Sequence, residues 1–404
     1  MAKSQGVFKR VAYKKEGIGQ WGELAGATGA KELRRTTAEF NLIKDSYSSN
    51  EITQKMQITD LRHGVRSAEG SLNGELSPGS YSDFIGSVLG KDFAAETGTA
   101  SASITIAASG TNFTLTRAAG SFLTDGIKVG HVVRMTATGL NAANVGNNCL
   151  VVTVTALALT VQVLSSTSLV AEGPIASVSV IPVGKTTFVP ASGHTLDSYN
   201  IEQWYADITQ SEVFTGLKVG TWNVALPATG LVTTDFSFMG KDLTSTGTTA
   251  YFTSPTAATT TGLFAAVQGA LIISGVPSAC ITDANFSVEK QLENAQCLGS
   301  NSVSEIFNGR ISVTGSLSAY FSDASMRDLF DDETEATVVF ALTTSEAKDA
   351  DVMSIVMPRC KFNSANVADA ELGLVQSIDF QALYQNTNTN GLVASTIMVQ
   401  DSAA

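Results

Sequence analysis

Residues 64–85 read GVRSAEGSLNGELSPGSYSDFI, and residues 309–330 read GRISVTGSLSAYFSDASMRDLF. They align without a gap at an offset of 245, which sets Gly70-Ser71-Leu72 on Gly315-Ser316-Leu317, Ser80 on Ser325 and Asp83 on Asp328. A second pair of blocks follows. Gly230-Leu231-Val232 and Asp235-Phe236 match Gly373-Leu374-Val375 and Asp379-Phe380, with one extra residue in the later copy. Upstream of these, Trp222-Asn223 sits where Phe362-Asn363 sits. Several blocks recurring in one order point to a tandem duplication of one unit.

Each repeated block alternates. In 67–76, Ala68, Gly70, Leu72, Gly74 and Leu76 are small or apolar, while Ser67, Glu69, Ser71, Asn73 and Glu75 are polar. The second copy keeps the register, with Ile311, Val313, Leu317 and Phe321 on one side and Ser312, Thr314, Ser316, Ser318 and Tyr320 on the other. Phe236 and Phe238 alternate with Asp235 and Ser237, and Ile378 and Phe380 with Asp379 and Gln381. Period two marks strands with one face on a core and one in water. The segments Tyr81–Leu89 and Ala324–Phe330 carry apolar residues three and four apart after a Ser/Asp start, the pattern of a short amphipathic helix. Each copy therefore reads as a sheet with a helix on its apolar face.

The copies differ in spacing. A strand-like stretch precedes the later block in each, Tyr199–Ile208 and Ala336–Thr343, but about a hundred extra residues stand before the first of these. Within the excess, IKVGHVVRMTATG, CLVVTVTALALTVQVL and IASVSVIPV alternate in short runs, as the strands of a small sandwich or barrel would. The expected organisation is an N-terminal arm (1–40), a first unit (41–96 and 196–242) interrupted by an inserted β domain (97–195), a linker or long loop (243–281), and a second unit (282–404). An insertion of this kind belongs at a surface loop, away from its parent's packing.

Composition agrees with a mainly β chain of more than one domain. Of 404 residues, 44% are hydrophobic and 15% charged, with Lys and Glu scarce. No apolar run approaches the ~20 residues of a membrane span. MAKSQGVFKR has charges with no apolar core behind them, so it does not read as a secretory signal. The net charge of −12 divides unevenly: residues 1–66 carry +5 and the remainder −17. An acidic body argues against a grip on nucleic acid, and a basic start suggests docking on another subunit.

Catalytic readings fail residue by residue. His63, His131 and His194 have no partner at ligand or triad spacing, and the cysteines (Cys149, Cys280, Cys297 and Cys360) are scattered, as free thiols are in a reducing cytosol. Gly184-Lys185-Thr186 resembles the end of a phosphate loop, but Ser179 stands where that loop needs its first glycine. Glu69 and Glu75 lie ~20 Å apart along one strand, too far for paired carboxylate chemistry. The expectation is no enzyme, no cofactor and no metal.

NEITQKMQITDLRHGVRSAEGSLNGELSPGSYSDFIGSVL resembles the opening of siphophage tail tube (major tail) proteins. EIFNGRISVTGSLSAYFSDASMRDLF and IVMPRCKFNSANVADAELGLVQSIDFQAL resemble the second half of duplicated members. The resemblance covers roughly 40–95 and 200–400 but not the insertion. It implies two tandem tail-tube β-sandwich or barrel units, each with a short helix; the inserted small β domain, being an insertion at a surface loop, is expected to project from the tube exterior and to be dispensable for polymerisation. It further implies homotrimeric rings with pseudo-sixfold symmetry, stacked into the tail tube of a long non-contractile bacteriophage tail through which the genome is ejected. The partners so implied are further copies of the chain, tape measure protein, tail terminator and tip proteins, and double-stranded DNA passing without specific contact; no membrane is involved. The protein would be made in the host bacterial cytoplasm and end in the virion. Joined to the alternation, this reading turns Glu69, Ser71, Asn73, Glu75, Asp235, Ser237, Ser316, Ser318, Asp379 and Gln381 toward the lumen. The alternative is an adhesin-like protein of a phage or bacterial surface, its inserted domain recognising a carbohydrate. A third reading, the tube of a contractile tail or secretion device, fits poorly because those usually use a short single-copy chain.

Overall fold

The computed structural model describes residues 3–277, 281–322, 324–368, 373–387 and 389–404, so Cys280 and residues 369–372 of the last stretch compared above lie outside the described residues. The chain opens with β1 (Lys9–Lys15), β2 (Lys31–Glu32), β3 (Thr37–Ser48), β4 (Leu61–Glu75) and α1 (Ser82–Leu89). Six strands then close a barrel in the order β10-β5-β6-β9-β8-β7: β5 (Thr99–Ser109), β6 (Asn112–Arg117), β7 (Val132–Thr136), β8 (Cys149–Val154), β9 (Ala158–Val163) and β10 (Glu172–Pro182). After β11 (Lys185–Phe188) come β12 (Tyr199–Tyr205), β13 (Gln210–Pro227), β14 (Thr233–Gly240) and β15 (Asp242–Gly247). The remaining elements are β16 (Gly269–Ile273), β17 (Val276–Pro277), β18 (Ile281–Ala295), β19 (Glu305–Tyr320), α2 (Ser325–Asp331), β20 (Ala336–Thr343), β21 (Val352–Phe362), β22 (Asn366–Val367), β23 (Val375–Ala382) and β24 (Met398–Asp401). The protein is mainly β, and both helices fall within a residue of their expected positions.

The duplication is visible in the pairings. β1·β12, β3·β4, β4·β14, β12·β13, β13·β14 and β13·β15 reappear in order as β16·β20, β18·β19, β19·β23, β20·β21, β21·β23 and β21·β24. The correspondence differs in detail from the sequence match. Gly70 lies opposite Phe238 and Gly315 opposite Phe380, so Phe380 answers Phe238 rather than Phe236, and Asp379 answers Ser237. Likewise Asn223 faces Asp235 and Asn366 faces Ser377, which makes Asn366-Val367 the counterpart of Asn223-Val224 in place of Phe362-Asn363. The Asp-Phe blocks slip by two residues, which in an alternating strand leaves every side chain on its own face, so letter matching does not detect it; the Asn blocks slip by three, across the break between β21 and β22.

The two aligned glycines have a steric reason. A Cβ on Gly70 would run into the Phe40 ring and come within 2.7 Å of the Glu39 carbonyl; one on Gly315 would meet the Phe380 ring and lie 2.6 Å from the Asn285 carbonyl. The aromatic ring crosses the strand at a site where only hydrogen fits.

One core lies behind the paired units. Trp222, Phe236, Phe286, Phe340 and Phe380 are fully buried in it, together with Phe84, Ile85, Val88 and Leu89 of α1. Gly90 closes α1 in the left-handed region (φ 74°), its N–H donating to the Ser87 carbonyl. Met326 and Leu329 of α2 pack against the same core from the other unit.

Two segments behave differently from their composition. The Ser/Thr/Ala-rich 243–281 region holds β15, β16 and β17, and Phe252 and Phe264 are buried in it. The basic N-terminal region is knitted into its own chain: β1 pairs along its whole length with β12. Its cations are matched locally, Lys15 with Asp197 at 2.7 Å, Lys31 with Asp83 at 2.7 Å and Arg10 with the buried Glu202 at 3.6 Å. With Arg62 and Arg66, five of the twelve cations in residues 1–66 form ion pairs inside the subunit among the described residues.

The barrel sits between α1 and β12 in sequence but docks on the second unit. Cys149 and Val151 of β8 point into the barrel's own core, whereas Leu150 and Val152 point out and join Val132 against Ile272, Val339, Val352, Val356 and Met398. Burial on both faces is why CLVVTV reads as a continuous apolar run. The Gln400 side chain seals the contact, accepting from Val132 N–H at 2.7 Å and donating to the Val132 carbonyl at 2.9 Å. Removing 97–195 thus bares an apolar patch while leaving the repeated strands β4, β14, β19 and β23 intact. The expected result is a deletion variant recovered mostly as aggregate, which becomes soluble when Val339, Val356 and Met398 are also made polar. Size-exclusion chromatography of both variants checks this; a deletion variant that is soluble without the polar substitutions would show that the barrel does not cover this patch.

A polar wall as candidate functional site

Seven strands form one antiparallel sheet in the order β3-β4-β14-β13-β18-β19-β23. Their registers place side chains in rows that cross the whole sheet. One row runs Thr37, Asn73, Asp235, Asn223, Ser287, Thr314, Gln381. Its neighbours run Glu39, Ser71, Ser237, Thr221, Glu289, Ser312 and Glu75, Thr233, Ala225, Asn285, Ser316, Asp379. Beyond these lie Asn41, Glu69, Met239 on one side and Asp283, Ser318, Ser377 on the other. The alternate rows are the core: Ala38, Leu72, Phe236, Trp222, Val288 and Val313 are all buried.

All ten residues singled out from the sequence therefore share one face of one sheet. Glu69, Ser71, Asn73, Asp379 and Gln381 are exposed, while Glu75, Asp235, Ser237, Ser316 and Ser318 are half-buried. Strands β3, β13 and β18 complete the face with residues not singled out before. The signal for two of them was present, since TAEFN (37–41) and DANFSVE (283–289) alternate in the same way. Strand β13 hides it, because Gln210–Pro227 crosses from one sheet to the other and is buried on both sides for half its length.

The face is chemically uniform. It holds the carboxylates of Glu39, Glu69, Glu75, Asp235, Asp283, Glu289 and Asp379, and Lys218, which the register sets opposite Met239, is buried with its Nζ donating to the Ile306 carbonyl at 2.7 Å. Short polar side chains are linked across strands: Asn73 Nδ2 donates to Thr37 Oγ1 at 2.7 Å, Asn223 Nδ2 to Asp235 Oδ2 at 2.8 Å and Asn285 Nδ2 to Ser316 Oγ at 2.8 Å. Such pairs hold the side chains flat against the sheet. An acidic, hydroxyl-rich surface repels phosphate weakly.

The other candidates are placed apart. His131 is fully buried in the barrel wall, where desolvation pushes its pKa down to about 3, so it stays neutral; its Nδ1 accepts from the Lys128 N–H at 3.3 Å. Gly184 turns β10 into β11, and Lys185 and Thr186 pair with Asp401 and Gln400 in a strand, whereas a phosphate loop leads into a helix. No group of three or more His, Cys, Asp or Glu able to hold a metal ion occurs among the described residues. Burial raises the thiol pKa of Cys149 and Cys360 to about 12, which leaves both inert.

Residues 9–382 match the family model described as phage tail tube protein. No curated protein matches the chain.

Proposed function

Because the chain belongs to the phage tail tube protein family, a structural family of the virion tail, we propose that three copies close into a ring and that rings stack into the tube of a long non-contractile tail. The observation that carries this reading is the seven-strand sheet: its exposed face is polar and acidic, its other face is core, and it ends at β3 on one side and, beyond β23, at the short β22 on the other, each with an edge that has no strand partner among the described residues. Unpaired edges are normally blunted or covered, and ring closure covers both. Two units per chain make three chains equivalent to six units, giving a lumen lined by repeated copies of the polar rows. Tape measure protein would fill that lumen before DNA does, and terminator and tip proteins would bind the two ends.

Stacking has its own surface. The hairpin joining β3 to β4 exposes Ile52, Met56 and Ile58 almost fully. Apolar groups concentrated at a projecting tip fit burial against the next ring. Reconstruction of tubes grown from purified protein tests the stoichiometry, and threefold symmetry with pseudo-sixfold inner strands is expected. Six chains in each ring would overturn it, and a discrete oligomer that never polymerises would return the reading to a surface-binding protein.

A further inference from the structure

Among the described residues, one ladder joins the sheet strands of the two units, and it has no repeat-equivalent there. β13 pairs with β18, setting Thr221 opposite Glu289, Trp222 opposite Val288, Asn223 opposite Ser287 and Val224 opposite Phe286. The duplicated topology makes β21 with β22 the counterpart of β13, and β3 the counterpart of β18. Those two segments lie at opposite ends of the sheet. We propose that they pair with each other between neighbouring copies, in the register that the internal junction dictates; this rests on the ring reading above and specifies the contact that closes it.

The register follows from counterparts already fixed. Asn366-Val367 answer Asn223-Val224 through their positions opposite Ser377 and Gln376. Asn41 answers Ser287, because Asn41 faces Glu69, Ser287 faces Thr314, and Glu69 and Thr314 stand one residue before Gly70 and Gly315. Transferring the junction sets Asn366 of one copy opposite Asn41 of the next, Val367 opposite Phe40, Ala365 opposite Leu42 and Ala368 opposite Glu39. Asn366, Val367 and Ala368 are exposed in the single chain, as an edge awaiting a partner must be.

The open edge of β3 is guarded where the covered edge of β18 is not. The Ala38 and Phe40 carbonyls accept from Lys9 Nζ at 2.7 Å and Gln203 Nε2 at 2.8 Å. Tracing the same pairings through the second unit puts Gly269 in the place of Lys9 and Phe340 in the place of Gln203. There, Phe340 stacks on Phe286, the counterpart of Phe40, with ring centroids 5.9 Å apart. Side-chain donors thus occupy carbonyls at the free edge, and an incoming strand takes their place on assembly.

The same registers fix the geometry of the closed barrel. The row that starts at Thr37 crosses β4, β14 and β13 and arrives at Ser287. Ser287 is the counterpart of Asn41, four residues further along than Thr37. Each four-strand unit therefore advances the stagger by four residues, and six units give about 24 strands with a shear of about 24. At ~3.3 Å per residue and ~4.8 Å between strands, this sets a tilt of ~35° and a backbone diameter of ~45 Å. Side chains on the inner face leave a bore wider than a DNA duplex.

The test uses the full chain with Cys280→Ser and Cys297→Ser as background. Asn41→Cys and Asn366→Cys are made singly, mixed in equal amounts, assembled and oxidised. Asn41 and Asn366 correspond to a position where directly opposed Cα atoms lie ~4.5–5.5 Å apart, within the range a disulfide spans. The expected result is a cross-linked dimer from the mixture, and cross-linked trimer when one chain carries both substitutions. Asn41→Cys mixed with Ala368→Cys, displaced by two residues, should link at least tenfold more slowly. Normal tubes that cross-link faster through Ala368→Cys would overturn the register while leaving the ring intact. Absence of tubes from the background protein would overturn the ring reading and this one with it.

Discussion

Trp222→Ala will lower the urea midpoint of the unassembled subunit more than any other single truncation in this core. Trp222 is fully buried, stacked on Phe236 at 6.4 Å and edge-on to Phe286 at 5.3 Å, and its Nε1 donates to Thr234 Oγ1 at 2.9 Å. Phe236 belongs to the first unit and Phe286 to the second, so one indole ties the two copies together across the β13–β18 junction. Truncating a buried aromatic of this size costs roughly 3–5 kcal/mol, a large share of the ~5–15 kcal/mol that holds a domain folded. Trp222→Phe keeps a ring between Phe236 and Phe286 and loses only the hydrogen bond and part of the volume, so a much smaller loss is expected. Urea midpoints for unassembled wild type, Trp222→Phe and Trp222→Ala should fall in that order. An alanine midpoint within error of wild type would show that the units are not joined through this core.

The second large effect concerns the wall. Changing Glu69 and Glu75 together to lysine should leave assembly nearly intact, because neither carboxylate forms an ion pair among the described residues. Both sit on the polar face of β4, so the doubly substituted tube would carry cations along its whole bore. Lysine contacts to phosphate bind DNA in a strongly salt-dependent way, losing orders of magnitude in affinity over a few-fold rise in salt. Genome ejection from particles built with this variant should slow at low ionic strength and recover as salt is raised. Wild-type kinetics at low salt, in particles proven to carry both lysines, would place these side chains away from the DNA path.

How much of this was legible in the sequence depended on period. Strands with one wet face, such as Leu61–Glu75 and Val375–Ala382, announce their facing residues by alternation alone, and all ten residues read that way share the sheet face described above. The exact correspondence between copies was not legible, because Asp-Phe recurs in a pattern that tolerates a slip of two. Strand β13 was opaque for another reason: a strand buried on both sides carries no period-two signal. The pairing of the N-terminal cations was equally hidden, since Arg10 finds Glu202 and Lys15 finds Asp197 far along the chain, where local charge counts reveal nothing.

The docking of the barrel has a consequence for symmetry. The tube units come in pairs, but the barrel comes once per chain and is held by the second unit through Leu150, Val152 and Gln400. In the proposed ring, a protein threading the bore meets six nearly equivalent faces, whereas anything that grips the outside meets three knobs. The inside and the outside of one tube would then present different rotational grammars. A hexameric ligand suits the first, a trimeric one the second, and the same chain can serve both without changing shape.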